Sequence, residues 1–121
     1  MAAGVTSAAE RLAVADRLLR EPELVERAVW PRACTWLIRL AVEHAIDGYW
    51  THHCPELVST NRRAQLIVLR HREPDVGPIT AELWSRLSGA AHHHAYELAP
   101  TADELRAWHG EATRVVEGLV R

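Results

Sequence analysis

The stretch Trp30-Pro31-Arg32-Ala33-Cys34-Thr35-Trp36-Leu37-Ile38-Arg39-Leu40-Ala41-Val42-Glu43-His44-Ala45-Ile46-Asp47-Gly48-Tyr49-Trp50 decides the fold. Its apolar residues recur at helical spacing on two adjoining stripes: Cys34, Leu37, Ile38, Ala41, Ala45 and Gly48 on one, Val42, Ile46 and Tyr49 on the other. A helix apolar over so much of its circumference must be covered on several sides, so it predicts a central rod with neighbours around it. Pro31 suits the first turn of a new helix better than the middle of an old one, so the segment from about Pro22 to His53 reads as a short helix followed by a long one.

Outward from this rod the chain reads as helix after helix. Upstream, Ser7 and Glu10 have capping-box spacing, and Ala8, Leu12, Ala15 and Leu19 share a face, so a first helix is expected from Ser7 to about Arg20, before Pro22. Downstream, residues 54–61 break the pattern and Ala64, Ile67 and Val68 resume it, which predicts a helix over about Thr60 to Arg72. The run Leu66 to Leu69 also fits a strand, but no other segment offers it a pairing partner. Glu73 to Pro78 is a turn by composition. A fourth helix is expected from about Ile79 to Leu98, with Leu83, Leu87, Ala90, Ala91 and His94 inward and Pro100 as its stop. The last opens on a capping box, Thr101 to Glu104, and continues through Leu105, Trp108, Ala112, Val115, Val116 and Leu119. Short connections make antiparallel neighbours, so the expected architecture is an all-α, four- to five-helix up-and-down bundle in one domain, residues 1–121.

Composition narrows what such a bundle can do. The chain has 121 residues, 48% hydrophobic and 25% charged, with no Phe and a formal net charge of -2. Disordered, collagen-like and linker readings fail on those values. No apolar run reaches the roughly 20 residues of a membrane span, and the first residues lack a secretion-signal pattern, so no membrane and a cytoplasmic location are expected. Two cysteines, Cys34 and Cys54, cannot build a disulfide scaffold. All 14 basic residues are Arg, set against 16 acidic ones, so a nucleic-acid site has to be a local patch.

Chemistry concentrates in Arg86-Leu87-Ser88-Gly89-Ala90-Ala91-His92-His93-His94-Ala95-Tyr96. At about 100° per residue, Arg86 and His93 lie on nearly one face, His94 follows Leu87 and Ala91 inward, and His92 shares a face with Ser88 and Tyr96. Arg and His together suit metal-free RNA cleavage: a neutral imidazole takes the 2'-hydroxyl proton and a guanidinium stabilises the phosphorane oxygens. The same spacing is met by a solvated helix end with one core histidine. On the central helix Arg39, Glu43 and Asp47 step by four beside His44; they read either as an ion-pair ladder or as carboxylates orienting Arg86 or a histidine. His52, His53, Cys54 and His71 with His92 to His94 are good zinc ligands by type, but no His-x-x-x-His or Cys-x-x-Cys pair preforms a site, so neither metal nor cofactor is expected. Of the five Trp, Trp108 is a core position by periodicity, and Trp36 and Trp84 are read as packing too.

The phrase Leu40 to Trp50 is similar to the Ala-Val-Glu-Lys-Ala-Leu-Lys-Ala type of phrase in the second helix of HEPN (higher eukaryotes and prokaryotes nucleotide-binding) domains, and Arg86 to His92 or His93 fits their Arg-x4–6-His motif. The order of helices agrees from about Pro31 onward. This resemblance implies a homodimer that joins two motifs into a metal-independent endoribonuclease site, with Arg86 stabilising phosphate and His92 or His93 as general base or acid. It also implies toxin-antitoxin, phage-defence or RNA-processing settings. Some members end in Arg-x4-His-x-Tyr, with a partner nucleotidyltransferase modifying the tyrosine. His94-Ala95-Tyr96 matches that ending, although Gly89 then stands where the arginine belongs, which implies a non-catalytic binding module. Two other classes stay open: a helical dimerisation or protein-interaction module working through the fourth helix, and a metal-binding enzyme resembling the DinB-like family.

Overall fold

The computed structural model describes residues 3–91 and 98–120, the first five of them as backbone. Five α-helices follow one another: α1 Ala3–Arg20, α2 Trp30–His53, α3 Arg62–Arg72, α4 Gly77–Ala91 and α5 Ala102–Val120, with 3-10 turns at Pro22–Leu24 and Pro55–Leu57. No strand occurs among the described residues, and the architecture is an all-α helical bundle.

Local chemistry sets most boundaries. Pro31 sits in the first turn of α2, where its missing N–H costs nothing. Asn61, in extended backbone, caps α3 by accepting the Ala64 N–H at 2.8 Å. The reciprocal capping box of α5 is formed in full: Thr101 N–H donates to Glu104 Oε1 at 3.0 Å, and Glu104 N–H donates to Thr101 Oγ1 at 3.1 Å.

Three expectations need correction. α1 begins at Ala3, so Ser7 lies inside the helix; no proline upstream stops the turn from continuing past it. Gly77 and Pro78, expected in a turn, already belong to α4, whose opening turn welcomes a proline's fixed φ. Leu98, expected to close the fourth helix, lies outside it and is 97% exposed, two residues before Pro100. The residues 92–97, which hold His92, His93, His94 and Tyr96, lie outside the described residues.

The central rod is α2, packed against α1, α5 and α4, while α3 packs on α4. Cys34, Ile38, Ala41, Val42, Ala45, Ile46, Tyr49 and Trp50 of α2 are buried, so both stripes read from the sequence face the core. All of these but Cys34 meet Leu12 and Ala15 of α1, Leu83 and Leu87 of α4, and Val115 and Leu119 of α5 in one apolar cluster. A smaller cluster joins Leu18, Leu19, Cys34 and Leu105. Close backbone approach seats the α3–α4 hairpin: a Cβ on Gly77 would lie 2.5 Å from the Leu69 carbonyl oxygen, and one on Gly118 would lie 2.8 Å from Val76 Cγ2.

Candidate functional site

Arg86 projects from α4 toward α5. Its guanidinium contacts Glu82 one turn back, Nη2 to Oε1 at 2.6 Å, and reaches Glu111 of α5, Nη1 to Oε1 at 3.7 Å. The side chain remains half-exposed. These two carboxylates, from two helices, hold a long side chain that would otherwise sweep through many rotamers.

The polar ladder of α2 goes elsewhere. Arg39 pairs with Glu43, Nε to Oε1 at 3.3 Å and too far off line for a hydrogen bond. Asp47 leaves the ladder and accepts from Arg62 Nη1 of α3 at 2.9 Å. Between these pairs lies Trp84 of α4, with the Arg39 guanidinium carbon 4.9 Å and that of Arg62 5.3 Å from its ring centroid. Arg39 also lies over Trp36 at 5.4 Å. The resulting sequence Glu43, Arg39, Trp84, Arg62, Asp47 alternates anion, cation and ring across three helices. Glu43 and Asp47 thus take Arg39 and Arg62 as partners, and Arg86 takes Glu82 and Glu111. The helical wheel explains the division: positions 84 and 86 are about 200° apart on α4, so Trp84 faces α2 and α3 when Arg86 faces α5.

Trp36, expected from the sequence to be packing, is instead 42% exposed. Trp84 is only partly buried, and Trp108 packs at the edge of both clusters. His44 accepts from Arg11 Nε of α1 at 3.4 Å.

Sequence reasoning did not single out a second polar knot at the base of α2. Tyr49 donates its hydroxyl hydrogen to Glu73 at 2.8 Å and accepts from Arg72 Nε at 3.2 Å. Burial pushes the Tyr49 hydroxyl above its usual range, Glu73 adds to the rise and the Arg72 hydrogen bond opposes it. The His53 ring rests on Tyr49 with centroids 4.3 Å apart. Burial likewise pushes the Cys34 thiol up to about 11. Among the described residues, His52, His53, Cys54 and His71 do not join with carboxylates into a metal-binding group of three. No helix of the described residues is long and apolar enough to cross a membrane. Comparison with known protein families, curated proteins and solved structures finds no match for this chain.

Proposed function

We propose that this chain is a HEPN-like RNA-binding protein acting as a metal-independent endoribonuclease from a homodimer. The observation that supports this reading is the clasped, half-exposed guanidinium of Arg86 near the end of α4, from which the chain leads directly into His92 and His93. An arginine oriented by carboxylates on one side keeps N–H donors free on the other, and an incoming phosphate would displace the long 3.7 Å Glu111 contact to meet the guanidinium charge. In the proposed reaction one histidine removes the 2'-hydroxyl proton and the 2' oxygen attacks the adjacent phosphorus. Arg86 stabilises the equatorial oxygens, and a second histidine protonates the departing 5' oxygen, leaving a 2',3'-cyclic phosphate and a 5'-hydroxyl. Two-fold pairing doubles a weak local patch, which suits a chain whose net charge is -2. In the toxin-antitoxin setting the partner is an antitoxin or a nucleotidyltransferase that modifies Tyr96, and intact mass from a native source would show the added nucleotide.

The decisive experiment is cleavage of a single-stranded RNA panel, with chelator present, by wild type and by Arg86→Ala with His93→Ala. Loss of at least about 100-fold is expected, the scale of a missing acid–base group, with an unchanged helical circular dichroism spectrum. Equal turnover in the double variant overturns the assignment.

A further inference from the structure

The flank of the molecule away from Arg86 carries a groove that the RNA chemistry leaves unused. α3 lines it with Arg63, Leu66, Ile67 and Arg70, and α4 lines it with Ala81, Trp84, Ser85 and Ser88. Each set repeats at i, i+3, i+4 and i+7, so the groove runs along two rods joined by the turn 73–76 rather than dipping between loops. Its volume is about 480 Å³.

The floor is apolar and the rim is cationic. Ile67 is 52% exposed, large for an isoleucine with nothing over it, and Leu66, Ala81 and Trp84 continue the apolar surface. Arg63 and Arg70 are exposed, and among the described residues neither has a carboxylate at ion-pair distance. Arg39 and Arg62 next door are already neutralised by Glu43 and Asp47. Among the described residues, no acidic side chain lines the groove. Arg63 and Arg70 stand two helical turns apart, about 10 Å along α3.

We infer that this groove docks an amphipathic α-helix of a partner protein, whose apolar stripe covers Ile67 and the Trp84 edge and whose acidic residues, spaced two turns apart, meet Arg63 and Arg70. Helix-in-groove recognition needs an apolar trough between parallel rods with charges along its lip, and the α3–α4 hairpin supplies both. Charge complementarity sets the sign of the partner. Single-stranded RNA fits less well: it binds by stacking bases on open aromatic faces, and the ring of Trp84 already carries Arg39 and Arg62. The inference stands independently of the ribonuclease reading.

The test uses the full chain and synthetic peptides of about four helical turns with a leucine stripe, one series carrying glutamates two turns apart and the other lysines there. Fluorescence anisotropy should show the glutamate peptide binding wild type at least about tenfold more tightly than the lysine peptide. Arg63→Glu with Arg70→Glu should reverse that preference, with helical content by circular dichroism retained. Equal binding of both peptides, or an unchanged preference in the double variant, overturns the proposal. So does an oligouridylate that binds wild type and loses affinity in the double variant when the glutamate peptide does not. A dimer in sedimentation that dissociates on the same substitutions would place a second copy in the groove and overturn it as well.

Discussion

Cys34 and Cys54 are twenty residues apart on paper and opposite in chemistry. Cys34 is fully buried between α1, α2 and α5, with its thiol pushed up to about 11; Cys54 lies at the partly open C-terminal cap of α2. Thiolate, rather than thiol, is the reactive form, so a disulfide reagent at neutral pH should label one equivalent rapidly at Cys54 and reach Cys34 only after denaturation. A raised folded-state value contributes stability below the unfolded value of 9.0 and loses it as pH climbs toward about 11. Tyr49 shifts in the same direction, so its contribution is also lost in alkali. Chemical denaturation should therefore show a falling unfolding free energy above pH about 9, and Cys34→Ala should remove on the order of 2 kcal/mol from the total fall between pH about 9 and 11. The buried stripe that places Cys34 was legible in the sequence. The Tyr49, Arg72 and Glu73 knot was not, because periodicity along α2 says which face turns inward and nothing of which side chains arrive there from α3.

At the scale of elements, the α3–α4 hairpin depends on Gly77. Any Cβ there meets the Leu69 carbonyl oxygen at 2.5 Å and Arg70 Cα at 2.8 Å, backbone atoms that cannot rotate away. Gly77→Ala should destabilise by about 1–3 kcal/mol, in spite of alanine's better helix propensity, and should open the α3–α4 groove. Guanidinium unfolding compared with Gly89→Ala, where no described atom beyond the local helix backbone stands within 4 Å of the added Cβ, separates crowding from propensity. Sequence signals located these elements unevenly, for a physical reason. The Thr101 and Glu104 box follows Pro100, which prevents the helix from extending upstream, so the cap is also the boundary. Ser7 and Glu10 have the same spacing without such a stop, and α1 runs through them. The expected α3 start at Thr60 lies two residues ahead of the observed Arg62, because Ser59, Thr60 and Asn61 are all capping types and only backbone conformation decides that Asn61 serves.

For the molecule as a whole, the central rod carries the stability. Ile46 is completely buried in the larger cluster, where α2 meets its neighbours. Ile46→Ala should cost about 2–5 kcal/mol, enough to lower Tm by roughly 10 °C in calorimetry, whereas Ile67→Ala on the open groove should barely move it. The all-helical class was readable because one long stretch was apolar around most of its girth. The candidate site was readable only along single helices: Arg39, Glu43 and Asp47 announce themselves by their spacing, but Arg62 and Trp84 complete the cluster from two other helices, and no spacing rule connects them. Arg86 is likewise visible as a residue, and its carboxylate clasp is visible only in half, since Glu82 lies one turn away and Glu111 comes from α5.

The alternating cluster around Trp84 carries one last consequence. It uses two guanidiniums as mortar, each paired with its own carboxylate, so among the described residues lining the groove Arg63 and Arg70 are the cations an approaching molecule meets. Any association there should weaken with added electrolyte as a divalent contact would, not a tetravalent one.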